Sequence, residues 1–239
     1  NKSLQGSDNE NVYGRRKSGN GKVLIVVITS NKGLCGAFNA NVIKETKRIM
    51  AEKYPEKARG GKLSFIAIGR KGHDALKRMN CNILEEHNDV FNHLDYDHTS
   101  EIASGLINRY VKGEFDQIEF VYNQFKNAAV QRLTNEVFLP VQDLPDEKGR
   151  AKAADYIYEP DVVRIIEELI PKSLKIQLYK AVLDSYVAEQ GAQMTAMHQA
   201  TENATDLIRD LTLQYNKARQ AAITNQLLEV VSGAEALKG

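Results

Sequence analysis

The residues of this 239-residue chain whose types could do chemistry fall in two places. The segment GLCGAFN, Gly33 to Asn39, follows an aliphatic run and precedes a helical pattern. In that context, backbone amides at a helix N-terminus can bind phosphate. The spacing fits neither phosphate motif. Gly36 is followed by Ala37 and Phe38 where a P-loop has Lys and Ser or Thr, and Gly33 with Gly36 lacks the leading glycine of GxGxxG. Cys35 sits at the same helix start, where a thiolate is favoured, but the sequence offers it no base partner. His87, His93 and His98 crowd one polar segment without the i, i+4 pairing or nearby Cys pair of a zinc site. The reading is a structural turn and solvated loop histidines, with no catalytic residue, metal or cofactor.

The elements around these residues form an α/β unit. Lys22 to Thr29 (KVLIVVIT) is continuously apolar and β-branched, as a strand buried on both faces of a parallel sheet should be. Val42, Ile43, Thr46, Ile49 and Met50 recur at helical spacing between Asn39 and Lys53. Lys62 to Ile68 gives a second buried strand, Gly69 to Met79 a short helix, and Cys81 to Leu84 a short third strand. A helix is expected over Thr99 to Lys112, a strand over Phe115 to Phe125, and a hairpin partner over Ala128 to Val141. Asp143 to Ala153 reads as a charged loop and Tyr156 to Tyr158 as one more strand. Asp161 caps a short helix ending at Leu169. The expected organisation is a mobile lead-in over 1–21, a Rossmann-like α/β domain of small mixed sheet and flanking helices over 22–170, and a long helix over 171–239.

That last helix dominates the chain. Pro171 is placed to start it, where a missing amide hydrogen costs nothing. Beyond Pro171 only Gly191 interrupts the pattern before Gly233. Leu183, Val187, Met194, Met197, Thr201, Ala204, Ile208, Leu211, Tyr215, Ala218 and Ala222 follow one another at spacings of three and four once Gln190 is counted. This is a heptad seam, and its small residues suit a thin, closely packed two-helix rod. Such a helix is roughly 99 Å long, whereas a domain of the preceding size has a radius of gyration of about 15 Å. A partner helix is therefore expected from outside this sequence. Past Ala222 the apolar register slips by one, to Ile223, Leu227 and Val230, and Leu228 and Val231 add apolar surface off that line. Lys217, Arg219 and Gln220 stand just before it, on the face read as pointing away from the seam.

Composition narrows the classes. Lys and Arg total 32 against 31 Asp and Glu, so no basic footprint points to nucleic acid. The longest aliphatic run, Val23 to Ile28, falls far short of the roughly 20 residues of a membrane span. Cys35 and Cys81 lie far apart without a CxxC pair, which suggests neither a disulfide framework nor a metal site and favours a reducing compartment.

Three segments together resemble the gamma subunit of F-type ATP synthases: ITSNKGLCGAFNANV, YIYEPD, and the C-terminal stretch from EQGAQMTAMHQ through NKARQAAITNQLLEVVSGAEAL. The resemblance covers residues 22 to 239. It implies a rotor shaft, a coiled coil of N- and C-terminal helices standing in a ring of alternating alpha and beta subunits. The Rossmann-like domain would sit at its foot beside epsilon and the membrane c-ring. It further implies that Arg219 and Gln220, with Lys217 beside them, meet a beta-subunit catch loop, and that Ile223, Leu227, Leu228, Val230 and Val231 sit in a hydrophobic bearing. Catalytic sites would lie on the beta subunits. Gln193 stands where the family commonly has arginine, and the N-terminal shaft helix is absent from the sequence. No chloroplast-type cysteine insertion is present. The expected location is the cytoplasmic face of a bacterial inner membrane, as a peripheral subunit, or else the mitochondrial matrix side. The rival readings are a freestanding coiled-coil scaffold and a nucleotide-binding α/β enzyme.

Overall fold

The computed structural model describes residues 13–14, 21–92, 94–128, 130–141, 162–237 and 239, with backbone alone over 162–167. The expected lead-in falls outside these residues apart from Tyr13, Gly14 and Gly21. The expected charged loop, the strand over Tyr156 to Tyr158 and the Asp161 cap fall outside them entirely. Tyr13 packs against the core, and Gly14 accepts a hydrogen bond from the Tyr110 hydroxyl at 2.7 Å.

The chain divides into two units, 1–194 and 195–239. The first holds a five-stranded sheet in the order β3-β2-β1-β4-β5. Its strands are β1 Val23–Ile28, β2 Leu63–Ile68, β3 Ile83–His87, β4 Gln117–Phe125 and β5 Gln131–Leu139. β1 lies parallel between β2 and β4, β3 is parallel to β2, and β5 returns antiparallel to β4. All six residues of β1 are buried, which is why its sequence shows no alternation. The period of two survives in what each side chain meets. Leu24, Val26 and Ile28 join one core with helix α4 (Tyr96–Val111) and with Leu174, Leu178, Ala181 and Val182 of helix α5 (Val162–Ala236). Val23, Ile25 and Val27 join a second core with Val42 of α1 (Phe38–Arg48) and Leu76 of α3 (Arg70–Arg78).

Four elements differ from the sequence reading, the first being β3, which spans Ile83–His87 where Cys81 to Leu84 was expected. α1 continues through a π-helical turn, Ile49–Lys53, into a short helix α2, Pro55–Arg59, where a connector was expected. α4 begins at Tyr96, because the Asp95 side chain accepts a hydrogen bond from the His98 amide at 2.8 Å and caps the helix there. The short helix ending at Leu169 and the long helix starting at Pro171 are one helix of 75 residues with Pro171 inside it. An interior proline removes a backbone hydrogen bond and costs about 3 kcal/mol. Leu174 and Leu178, both buried within two turns of it, offset that, since each fully buried leucine contributes about 1.5–3 kcal/mol.

The second unit is the distal part of α5, from Thr195 to the end of the helix. Its 42 helical residues span about 63 Å. Apart from the half-buried Ala196 and Asn216, its described side chains are exposed.

Candidate partner-binding surface

In an open parallel sheet, ligands enter where the strand order reverses, beyond the carboxyl ends of the strands. Here that point lies between β1 and β4, and side chains fill it. The turn after β1 places Leu34 and Gly36 at φ of 64° and 56° and folds Cys35 and Phe38 inward. These pack with Ala188 and Ala192 of α5 and with Phe125. Asn123 closes the seat by donating to the Phe38 carbonyl at 3.0 Å. Leu34 is left outside, 84% exposed. The Cys35 thiol meets Asn39 Nδ2 at 3.2 Å and Ser30 Oγ at 3.9 Å, neither of which can take its proton.

The amides that open α3 are also taken. Arg70 N donates to Asn31 Oδ1 at 3.1 Å, Lys71 N to the Ser30 carbonyl at 3.1 Å, and Gly72 N to Thr29 Oγ1 at 2.7 Å. The three residues after β1 thus occupy the donors a phosphate would need. Of the histidines, His87 faces Glu85 at 3.2 Å and His98 faces Asp89 at 3.4 Å, so the two turn to separate carboxylates. His93 lies outside the described residues.

The chain's remaining specificity lies along α5. Leu174, Leu178, Ala181, Val182, Ser185, Ala188, Glu189 and Ala192 are buried in the first unit. At 100° per residue they form one stripe, and Leu183, Val187 and Met194 project about 170° away from it. These three are 39%, 38% and 62% exposed. The helix therefore holds its sheet with one face and presents the expected seam on the other. Two seam residues escaped the sequence reading. Leu169 and Ile176, each 56% exposed, continue the seven-residue spacing upstream of Leu183. The supposed helix break at Pro171 hid them.

Beyond Met194 the seam runs through Met197, Ala204, Ile208, Leu211, Tyr215, Ala218 and Ala222. Its large members are 53% to 68% exposed. The next positions on that line are Asn225 and Glu229, so the apolar line stops at Ala222. Ile223, Leu227 and Val230 form a separate face about 160° round the helix. With Leu228 and Val231 they are 47% to 69% exposed. Gln220 and Lys217 lie about 170° and 130° from the seam, whereas Arg219 flanks it at about 70°, closer than the sequence reading placed it. Gln193 donates to Glu189 Oε1 at 3.0 Å within the helix. Among the described residues no helix is long and apolar enough to cross a membrane.

A family model described as ATP synthase matches residues 2–237. The ATP synthase gamma chain of Flavobacterium johnsoniae is 53% identical over 218 residues, covering 91% of this chain and 74% of the relative. That of Cytophaga hutchinsonii is 44% identical over 230 residues, covering 95% and 78%. Among solved structures, a chain of the Euglena gracilis mitochondrial ATP synthase OSCP/F1/c-ring structure aligns with a TM-score of 0.65 at 22% identity, covering 91% of this chain and 73% of that one. A chain of the Tetrahymena thermophila central stalk and c-ring structure aligns at 0.56 with 23% identity, covering 78% and 80%. The fold, a mixed five-stranded sheet with one very long helix, is thus shared with chains of these ATP synthase structures, and the family model and the sequence identities assign this chain to the ATP synthase gamma chain family.

Proposed function

We propose that the chain is the central-stalk rotor subunit of an F-type ATP synthase, carrying torque between the membrane ion ring and the alpha/beta hexamer. The observation that carries this reading is the division of faces on α5. One face is fixed to the sheet, the opposite face is an apolar seam, and past Ala222 a separate apolar face takes over. A shaft needs all three: a base, a stiffening partner helix and a seat at the tip. In this reading the seam is covered by the N-terminal shaft helix of the gamma subunit. Lys217, Arg219 and Gln220 meet a beta-subunit catch loop, and Ile223, Leu227, Leu228, Val230 and Val231 turn in a bearing formed by alpha and beta. The sheet domain contacts epsilon and the c-ring. Catalysis belongs to the beta subunits, and the filled crevice beyond β1 supports a chain that takes no nucleotide of its own. The bacterial relatives support a peripheral place on the cytoplasmic face of the inner membrane.

The test is Arg219→Ala with Gln220→Ala in the reconstituted complex. Both side chains are exposed, so the chain's own melting should not change. Loss of hydrogen bonds to a partner, about 1.5–3 kcal/mol for a charged one, should lower coupled ATP hydrolysis. Unchanged hydrolysis would remove the catch assignment.

A further inference from the structure

We propose that the edge of the sheet at which its parallel strands begin docks on an anionic lipid surface, through the phosphates of the headgroups. The choice of a membrane as partner rests on the rotor reading; the charge that calls for an anion does not.

The topology gathers positive charge there. β1 to β4 run parallel, so their first residues share one edge, and α2, α3 and α4, which lead into β2, β3 and β4, end beside it. Lys22 and Lys62 stand one residue before the paired Val23 and Leu63. Two like charges thus lie side by side, on strands about 4.8 Å apart. Lys57 and Arg59 close α2, and the Lys62 amide donates back to the Lys57 carbonyl at 2.9 Å. Lys77 and Arg78 end α3, and Lys112 follows α4. All are exposed except the half-buried Lys57. The carboxylates of this edge are engaged elsewhere. Glu52 meets Arg48 at 3.3 Å, Glu114 meets Arg109 at 3.6 Å, and Asp116 accepts from the Lys22 amide at 3.0 Å. Glu119 is taken by Lys53 at 2.6 Å. Glu56, in the first turn of α2, opposes the cluster with a single charge. Helix dipoles account for Arg59, Lys77 and Arg78, since cations are favoured in a last turn. They do not account for Lys22 and Lys62, which lie in no helix and repel each other.

The make-up of the edge favours lipid over an acidic protein. Its charges come from separate chain segments, before β1, before β2, at the end of α3 and after α4, so they meet a broad surface and do not grip one strand. Val111 is the one large apolar side chain exposed among them, whereas a protein interface is built round an apolar core. Headgroup attraction needs no such core. It sums over the Lys and Arg side chains held within a Debye length of the surface. Flexible lysines on short loops suit a fluid array of phosphates, and no buried polar side chain forms the cradle that would select a free phosphate ion.

The experiment is flotation of the 239-residue chain with vesicles of phosphatidylcholine alone, or of phosphatidylcholine with one third phosphatidylglycerol. The chain should float with the anionic vesicles at low salt, stay behind with the neutral ones, and be released at high salt. Lys57→Gln with Arg59→Gln and Lys62→Gln should weaken this binding roughly 100-fold. Lys22→Gln with Lys62→Gln relieves a repulsion, so it should melt no lower than the parent, and should weaken binding about 25-fold. Lys44→Gln with Arg70→Gln and Lys71→Gln removes three exposed charges away from this edge and should change binding only about twofold. Equal losses in the two triple variants would overturn the proposal, as would no binding to either vesicle. Binding to a poly-glutamate peptide without binding to vesicles would assign the edge to an acidic protein instead. Displacement from vesicles by inorganic phosphate, beyond that by chloride at equal ionic strength, would mean a site for the free ion. Each arm reads the free chain, whereas the rotor reading is read in coupled hydrolysis, so the two fail separately.

Discussion

Gly69 has φ of 100°, and a Cβ at this position would lie 2.1 Å from the Thr29 carbonyl oxygen. Neither the backbone angle nor the contact can relax without parting β1 from α3. Gly69→Ala should therefore cost about 2–5 kcal/mol, measured as a lower midpoint in urea with an unchanged slope. A midpoint equal to that of the unsubstituted chain would show that the turn has slack. Glu189 makes a different kind of demand. It is 6% exposed on the buried stripe of α5, and burial pushes its carboxyl above the usual range while Lys32 pulls it part of the way back. The folded chain thus holds this proton more tightly than the unfolded one. The stability that goes with it is fully present below the ordinary carboxylate range, about pH 4, and is lost as pH rises through the raised folded value. Glu189→Gln should melt at a higher temperature near neutrality, with the gain closing as pH falls toward 4. A gain that is equal at all pH values would mean that packing, not charge, is responsible.

At the scale of elements, the π-helical turn that ends α1 brings Lys53 and Tyr54 over β4. There Glu119, fully buried, accepts from Lys53 Nζ at 2.6 Å, the Tyr54 hydroxyl at 2.5 Å and Gln117 Nε2 at 2.6 Å. All three reach Oε1, while Oε2 is buried without a protein partner. Tyr54→Phe removes one donor from a carboxylate that has no surplus and should cost about 1.5–3 kcal/mol in chemical denaturation. A loss below a few tenths would show that the remaining donors suffice. Nothing in the sequence announces this knot, because its members lie 65 residues apart and Glu119 interrupts an otherwise strand-like run. The central strands were legible for the opposite reason, since β1 and β2 carry their burial in unbroken aliphatic runs. The apolar line from Leu183 to Ala222 was visible through its period alone, and its large side chains are exposed. Its upstream end was not, since Pro171 normally marks a boundary and here is overridden by the leucines that follow it. The cap of α4 lay in plain view at Asp95, yet the apolar period that would locate the helix starts only at Ile102.

For the whole molecule, the two parts of α5 should differ in protection from solvent. Residues 174–192 are held by the cores, whereas the side chains of the distal helix are exposed and it draws stability from propensity alone. In hydrogen exchange of the chain at concentrations where it is monomeric, amides of 200–228 should exchange much faster than those of 174–192. Strong protection of Ile208 to Leu228 in a proven monomer would show that the seam needs no partner, and the shaft reading would fall with it.

The filled crevice beyond β1 also sets an order in time. Cys35 and Phe38 are closed over by Ala188 and Ala192, which leave the ribosome about 150 residues later, and the partner strand β4 is itself 94 residues away from β1. Contacts this distant in sequence form late. A growing chain therefore carries β1 and its turn through about 150 further residues of synthesis with the lid not yet made. Ribosome-stalled chains ending before α5 should have a Cys35 that reacts readily with a thiol reagent, and released full-length chains should not. Equal protection in both would mean that the turn seals itself. The helix that gives the chain its length is, on this schedule, also the piece that arrives last to shield the turn after β1.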